Sequence, residues 1–327
     1  MALRRDRPRP ECHAALPRGA LVTRGPQKNV GASVRDRLTQ RARAAGENVQ
    51  LILTRYVIER LLYRLSVSAH SDKFVLKGAM LFSLWSPTSY RATGDLDLLG
   101  MGDPAATALI AAFRDVLQVD AADDGVTFLA QTLRAEPTRP QDEYAGVRVM
   151  FDAKIAGARL PIQVDVGFGD AVTPAAQQIE YPSLLGMPTA KLKAYPPETV
   201  VAEKLEALVS LGVANSRMKD FFDLWAISRT FAFEGPVLAR AIKATFERRA
   251  TALPMQTPFG LSEAFAADPA KQAQWLAFLR RTEIALAPEP LSELIPEISA
   301  FLMPVLRAAG SAQSPPGHWP SGGPWRD

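Results

Sequence analysis

The chain has 327 residues, 47% of them hydrophobic, which is enough for the packed core of one large domain or two ordinary ones. No apolar run reaches the roughly 20 residues of a bilayer span, and the single cysteine, Cys12, excludes an internal disulfide and points to a reducing compartment, the cytoplasm. The formal charge of +4 is unevenly placed: of 38 basic and 34 acidic residues, 11 and 3 fall in residues 1–44, leaving 27 and 31 in a mildly acidic body.

The N-terminal residues are rich in Arg and Pro and lack the apolar h-region of a secretory signal. An arm carrying Arg4, Arg5, Arg7, Arg9, Arg18 and Arg24 reads as a solvated tail or an over-extended gene start, with sequence-independent contact to RNA phosphates as the alternative. Val34–Ala45 and Val49–Ser66 have helical spacing, the second with Arg55, Glu59, Arg60 and Arg64 on the side away from its apolar residues. Phe74–Trp85 reads as a short strand passing through Lys77-Gly78 into a buried helix, and the Pro-, Ser- and Gly-containing SPTSYRATG that follows reads as a loop. It leads to a strand at Asp95–Leu99. An amphipathic helix over 104–118 and strands over 126–134, 145–155 and 159–168 come next. Downstream, Pro196-Pro197-Glu198 opens a helix that stops at Gly212, and Asn215-Ser216 caps another. Pro236 to about Arg307 is helical, with interruptions at Pro254, Pro258, Pro288, Pro290 and Pro296. The last stretch, GSAQSPPGHWPSGGPW, is extended or disordered unless Trp319 and Trp325 anchor it.

The candidate chemistry centres on RATGDLD. Residues two apart on a strand face the same way, so Asp95 and Asp97 reach one point in space. Oxygen-only ligands of this kind suit Mg²⁺ or Mn²⁺, whose shell is completed by water and substrate phosphates. Asp165, in LPIQVDVGFGD, sits between apolar neighbours on a later strand and is the candidate third carboxylate. A DxD alone also arises on surfaces and in turns. What strengthens it is the order: a Gly turn at Lys77-Gly78-Ala79, about a dozen residues, the DxD strand, then a strand with an isolated Asp. There is no GxxxxGK, GxSxG, HExxH or GxGxxG, and His13, His70 and His318 are too scattered for histidine-based chemistry.

In this order the chain resembles the polymerase-β-like nucleotidyltransferases. The segments ENVQLILTRYVIERLLYRLSVSAHSDKFVLKGAMLF, YRATGDLDLLG, LPIQVDVGFGD and VVAEKLEALVSLGVANSRMKDFFDLWAI resemble, in order and spacing from about Ser33 to Thr230, the AbiEii/AbiGii toxin family. The resemblance implies an α+β fold: a polymerase-β-like mixed sheet with flanking helices, then a mainly helical C-terminal region. The expected division is a basic arm at 1–30, a nucleotidyltransferase domain at 31–190, a helical domain completing the site at 191–308 and a tail at 309–327. The resemblance further implies that Asp95 and Asp97 bind a catalytic metal with Asp165 as third ligand, and that the turn at Lys77, Gly78 and Ala79 holds nucleotide phosphates beside Arg91 and Thr93. Lys204 would engage the nucleotide, with Asp220 as its acidic partner and Asp223 one turn on. Ala79 departs from the Gly or Ser of many relatives, and Asp165 matches by strand context only. Plain alternatives stand beside these roles: Glu203, Lys204 and Glu206 also read as a solvated face, and Asp220 and Asp223 as acids favouring a helix dipole. The implied reaction moves an NMP from an NTP, GTP or CTP, to an RNA hydroxyl at a tRNA 3′ end, and the implied partner is a cognate antitoxin with a helix-turn-helix domain. A non-catalytic nucleotide or RNA sensor, or an interaction protein, is the alternative.

Overall fold

The computed structural model describes residues 29–85, 93–121, 123–138, 146–282, 287–311 and 313–327. The basic arm therefore lies outside the described residues, apart from the last two of its 1–30 range, and so do Arg91 and most of SPTSYRATG. Two helices, α1 (Val30–Ala45) and α2 (Val49–Val67), precede β1 (Phe74–Lys77), α3 (Met80–Trp85), β2 (Asp95–Gly100) and α4 (Ala106–Leu117). The strands β3 (Thr127–Pro137), β4 (Val147–Ile155), β5 (Ala158–Phe168), β6 (Gln177–Tyr181) and β7 (Ala190–Ala194) follow. The remainder is α5 (Pro197–Leu211), α6 (Met218–Thr230), β8 (Phe233–Glu234), α7 (Gly235–Arg248), α8 (Glu263–Ala267), α9 (Pro269–Thr282), α10 (Leu291–Gly310) and β9 (His318–Trp319). The expected α+β class, mixed sheet and helical C-terminal region are all present.

Seven strands form one sheet in the order β3-β4-β5-β2-β1-β7-β6. β2 is antiparallel to β1 and parallel to β5, so it lies at the centre of a mixed sheet. Alternation explains the choice of face. Along β4 and β5 the residues Val149, Phe151, Ala153, Ile162, Val164 and Val166 are all buried, and the intervening positions are polar or partly open. α2 packs against this apolar face at β5 and β7, and α4 joins it through Phe113, 5.6 Å from Phe74.

Two differences from the sequence reading have physical causes, and the tail takes the tryptophan-anchored form that its sequence allowed. Glu59, Arg60 and Arg64 on α2 are buried rather than turned to solvent, because each finds a partner. Arg60 meets Glu59 at 2.6 Å and donates to Pro188 O, Arg64 meets Asp124 at 2.6 Å, and Glu59 accepts from Ser183 Oγ and Leu184 N. The Glu59 and Arg60 bonds pin the loop between β6 and β7, an edge hairpin that the short polar alternation of QQIEY and AKLKA does not announce. Pro296 does not interrupt α10, which also contains Pro304. The buried face of Ile295, Ile298, Phe301, Leu302 and Val305 offsets the cost of about 3 kcal/mol for an internal proline. The C-terminal stretch is anchored: β9 pairs with β8, Trp319 Nε1 donates to Ser228 O (2.8 Å) and Trp325 Nε1 to Phe301 O (2.9 Å).

Candidate active site

Strand register sets the site. On β2, Leu96 and Leu98 point into the core, which leaves Asp95 and Asp97 together on the opposite face. Lys77 of β1 stands opposite Asp97, Asp97 opposite Asp165 of β5, and Asp165 opposite Arg148 of β4. The result is a row across four strands in which two cations flank two carboxylates. Arg148 Nε donates to Asp165 Oδ1 at 2.8 Å and its Nη2 to Oδ2 at 3.1 Å, with Gln163 Nε2 adding a bond at 3.0 Å. Asp95 lies in the next row, opposite Gln163, and its Oδ1 accepts from Thr93 Oγ1. Burial pushes the Asp97 carboxyl above the usual range; the charges of Asp95 and Asp165 push the same way and Lys77 opposes them.

The turn between β1 and α3 needs its glycine twice over. Gly78 has φ +71°, and a Cβ there would stand 2.6 Å from both Cβ and Cγ of Asp97. The backbone of the turn thus lies directly against the carboxylate. Gly78→Ala is expected to cost about 1–3 kcal/mol of stability through the strained backbone. Nucleotidyl transfer should fall by roughly 100-fold, the scale of a 1 Å misplacement of a reacting group. Chemical denaturation and initial rates check the two effects separately; wild-type turnover in the Gly78→Ala protein would show that the close approach is dispensable.

The polar face opens on a cavity of about 730 Å³ lined by residues of both halves of the chain, among them Lys77, Gly78, Ala79, Asp97, Lys204 and Asp220. Lys204 Nζ lies 2.9 Å from Asp220 Oδ1 and 2.7 Å from Asp223 Oδ2, and Arg217 Nε reaches Asp220 Oδ2 at 2.7 Å. Asp220 and Asp223 are fully buried, so they are not merely dipole partners on an exposed turn. Asp95 and Asp165 share the sheet face but do not line the cavity, and Asp223 stands behind Lys204.

Several lining residues had no signal in the sequence. Asp170 accepts from Lys77 Nζ at 2.5 Å and from Tyr195 OH at 3.2 Å. Arg249, one residue past α7, meets Glu203 at 3.3 Å, Asp170 at 3.7 Å and Glu206 at 2.7 Å. Glu203 and Glu206 therefore face inward rather than forming a solvated face. Burial raises the Glu203 carboxyl, with Lys77 and Arg249 opposing. Burial acts on Asp170 in the same sense, but Lys77 at contact distance, Arg249 and the Tyr195 hydroxyl together outweigh it and hold that carboxyl below the usual range. Arg217 and Lys219 stand within RMKD beside the recognised Asp220, and a spacing of two cations before an acid is the one clue the sequence offers to them.

The implied divalent cation is consistent with the donor set. Asp95 and Asp97 supply oxygen ligands on one face, with a repulsion that a cation between them would relieve. Among the described residues no three His, Cys, Asp or Glu side chains form a metal-holding group. Two carboxylates suffice for Mg²⁺ where water and substrate phosphates complete the shell. Asp165 faces the same way with both oxygens engaged by Arg148.

By class the protein is a nucleotidyltransferase. The chain belongs to the AbiEii family: residues 60–302 match the family model described as "Nucleotidyl transferase AbiEii toxin, Type IV TA system". Among solved structures it is similar to JHP933 from Helicobacter pylori (14% identity, TM-score 0.47, 80% of this chain and 92% of that one). A second Helicobacter pylori structure is also similar (14%, 0.48, 81% and 98%), as is an antigenic nucleotidyltransferase-like protein from Paracoccidioides brasiliensis (14%, 0.33, 74% and 91%). No curated protein matches the chain.

Proposed function

We propose that this nucleotidyltransferase moves an NMP from an NTP, GTP or CTP, to a hydroxyl of RNA at the 3′ end of a tRNA, and that it is the toxin partner of a helix-turn-helix antitoxin. The acceptor oxygen bonds the α-phosphorus as the bond to the β-phosphate breaks; pyrophosphate leaves and the hydroxyl proton passes to solvent. The observation that carries this reading is Asp97, packed against the Gly78 turn at the wall of a cavity that also presents Lys204, Arg217, Lys219, Arg248 and Arg249. A triphosphate needs cations along its length and backbone N–H groups at a turn, and the cavity is lined by such cations and by the Gly78-Ala79 turn. Asp95 and Asp97, with Asp165 as the further carboxylate, would hold Mg²⁺ or Mn²⁺, which would neutralise phosphate charge and activate the attacking oxygen. Thr93 orients Asp95 through its hydroxyl, and Lys77 and Ala79 wall the turn. Lys204, fixed by Asp220 and Asp223, would meet the nucleotide.

Incubation with each α-labelled NTP, Mg²⁺ and total RNA, beside an Asp95→Ala/Asp97→Ala control, tests the reading. Label is expected in the tRNA fraction with one or two of the four nucleotides. Metal-dependent NTP binding with no labelled product would favour a non-catalytic sensor instead, and label in protein would move the acceptor to another class. Chelation of divalent cations should abolish transfer and leave the fold intact.

A further inference from the structure

Resting on the RNA-acceptor reading above, we propose that a second cleft, between the start of α6 and the end of α9, holds the sugar-phosphate backbone of that acceptor. The cleft encloses about 400 Å³. Its floor is apolar, with Met218 and Phe278 both buried, and its rim carries Arg217, Lys219, Gln274 and Arg281. Among the described residues, none that lines it is acidic. That is a local excess of positive charge on a body whose residues beyond 44 hold 27 basic against 31 acidic side chains.

The cleft adjoins the reaction cavity. Arg217 and Lys219 line both, and the charge of Lys219 is close enough to act on the Asp97 carboxyl. An NTP must place its phosphates against Gly78 and Asp97, so the Arg281 guanidinium farther out, on α9, is available to a longer polyanion whose end enters the cavity. The walls are also tied to one another. The buried Lys271 of α9 donates from Nζ to Val213 O (2.7 Å) and Asn215 O (2.8 Å), gripping the turn that presents Ser216 to Lys219. Arg217 uses Nε on Asp220 and stays 42% exposed, which leaves its remaining donors for a phosphate. A cation-rimmed cleft beside a nucleotidyl-transfer centre fits a nucleic-acid backbone, for which contact is sequence-independent and strongly dependent on salt.

The test is anisotropy of fluorescein-labelled tRNA with the full chain at a series of KCl concentrations, for wild type, Arg281→Ala, Arg281→Glu and Gln274→Glu. Arg114→Glu serves as a matched charge reversal, because α4 covers the opposite face of the sheet, where Phe113 packs on Phe74. The cleft variants are expected to bind tRNA roughly tenfold more weakly. For Arg281→Ala the slope of log Kd against log salt should fall by about one. Arg114→Glu should bind as wild type does. Wild-type affinity and slope in all three cleft variants, from a protein that still labels RNA, would overturn the cleft and leave the acceptor reading standing. A wild-type protein that binds no tRNA and labels only protein would overturn both.

Discussion

Asp97→Asn is expected to lower nucleotidyl transfer by roughly 10²–10³-fold while making the metal-free protein more stable. Loss of one preorganised charge at a reacting phosphate costs roughly 10²–10³ in rate, and the amide oxygen, though a hard ligand, lacks the negative charge that holds a divalent cation between two carboxylates. Stability moves the other way. Burial, with the charges of Asp95 and Asp165, raises the Asp97 pKa in the folded protein. A raised carboxylate favours the fold when protonated; that contribution is complete below the unfolded-chain value and lost as pH rises through the folded value. Above the unfolded-chain value the raised pKa therefore works against folding, and the neutral amide removes that opposition. Thermal unfolding in the presence of chelator should show a higher Tm for Asp97→Asn at pH 7, with the two proteins converging as the pH falls towards the ordinary carboxylate range. Added Mg²⁺ should raise the Tm of the wild type more than that of the variant. A variant that is less stable than wild type at neutral pH would mark Asp97 as a structural carboxylate and sink the assignment.

Lys204→Met is expected to be the most destabilising single change in the site. Its ammonium lies between Asp220 and Asp223, whose side chains are 2% and 0% exposed. Truncating one partner of a buried ionic group leaves charge without compensation and costs about 3–5 kcal/mol. Arg217 still reaches Asp220 Oδ2, while Asp223, the nearer of the two acids to the ammonium, loses its 2.7 Å contact with Lys204. Adding Asp223→Asn to Lys204→Met should recover much of the stability, as read by urea denaturation, because that buried carboxylate charge is gone. Transfer should stay low in the double variant, with the KM for NTP raised. Wild-type kinetics in the restored background would confine Lys204 to a structural part. The measurement separates two roles that one lysine can hold at once, bracing α5 against α6 and meeting the nucleotide.

Much of the site was legible in the chain itself. The two-residue period of a strand commits Asp95 and Asp97 to one face whatever surrounds them, and a glycine between a strand and a helix announces a turn that other residues enter only with strain. Pro197 and Gly212 declare the ends of α5, whereas the Asn215-Ser216 cap expected for α6 is displaced. That helix starts at Met218 with Arg217 as its N-cap, and Asn215 Oδ1 accepts from Arg217 N just before it; Lys204, Asp220 and Asp223 still fall on helices. Resemblance then added the roles, which composition alone did not contain.

Other features exist only once strands are paired. Register lined up Arg148, Asp165, Asp97 and Lys77 across four strands, and nothing local to any of these segments states which residue will stand opposite which. The Arg249 contacts to Asp170 and Glu203 join positions tens of residues apart. The buried charges of α2 looked like a solvated face because helical periodicity reports polarity, not burial. Their partners, Asp124 and the loop before β7, arrive only when the sheet closes over the helix. Local rules of backbone geometry and side-chain period act within a few residues and so can be read from the sequence. Charge pairing and cavity formation depend on which distant segments meet, and that is decided by the packing of the whole core.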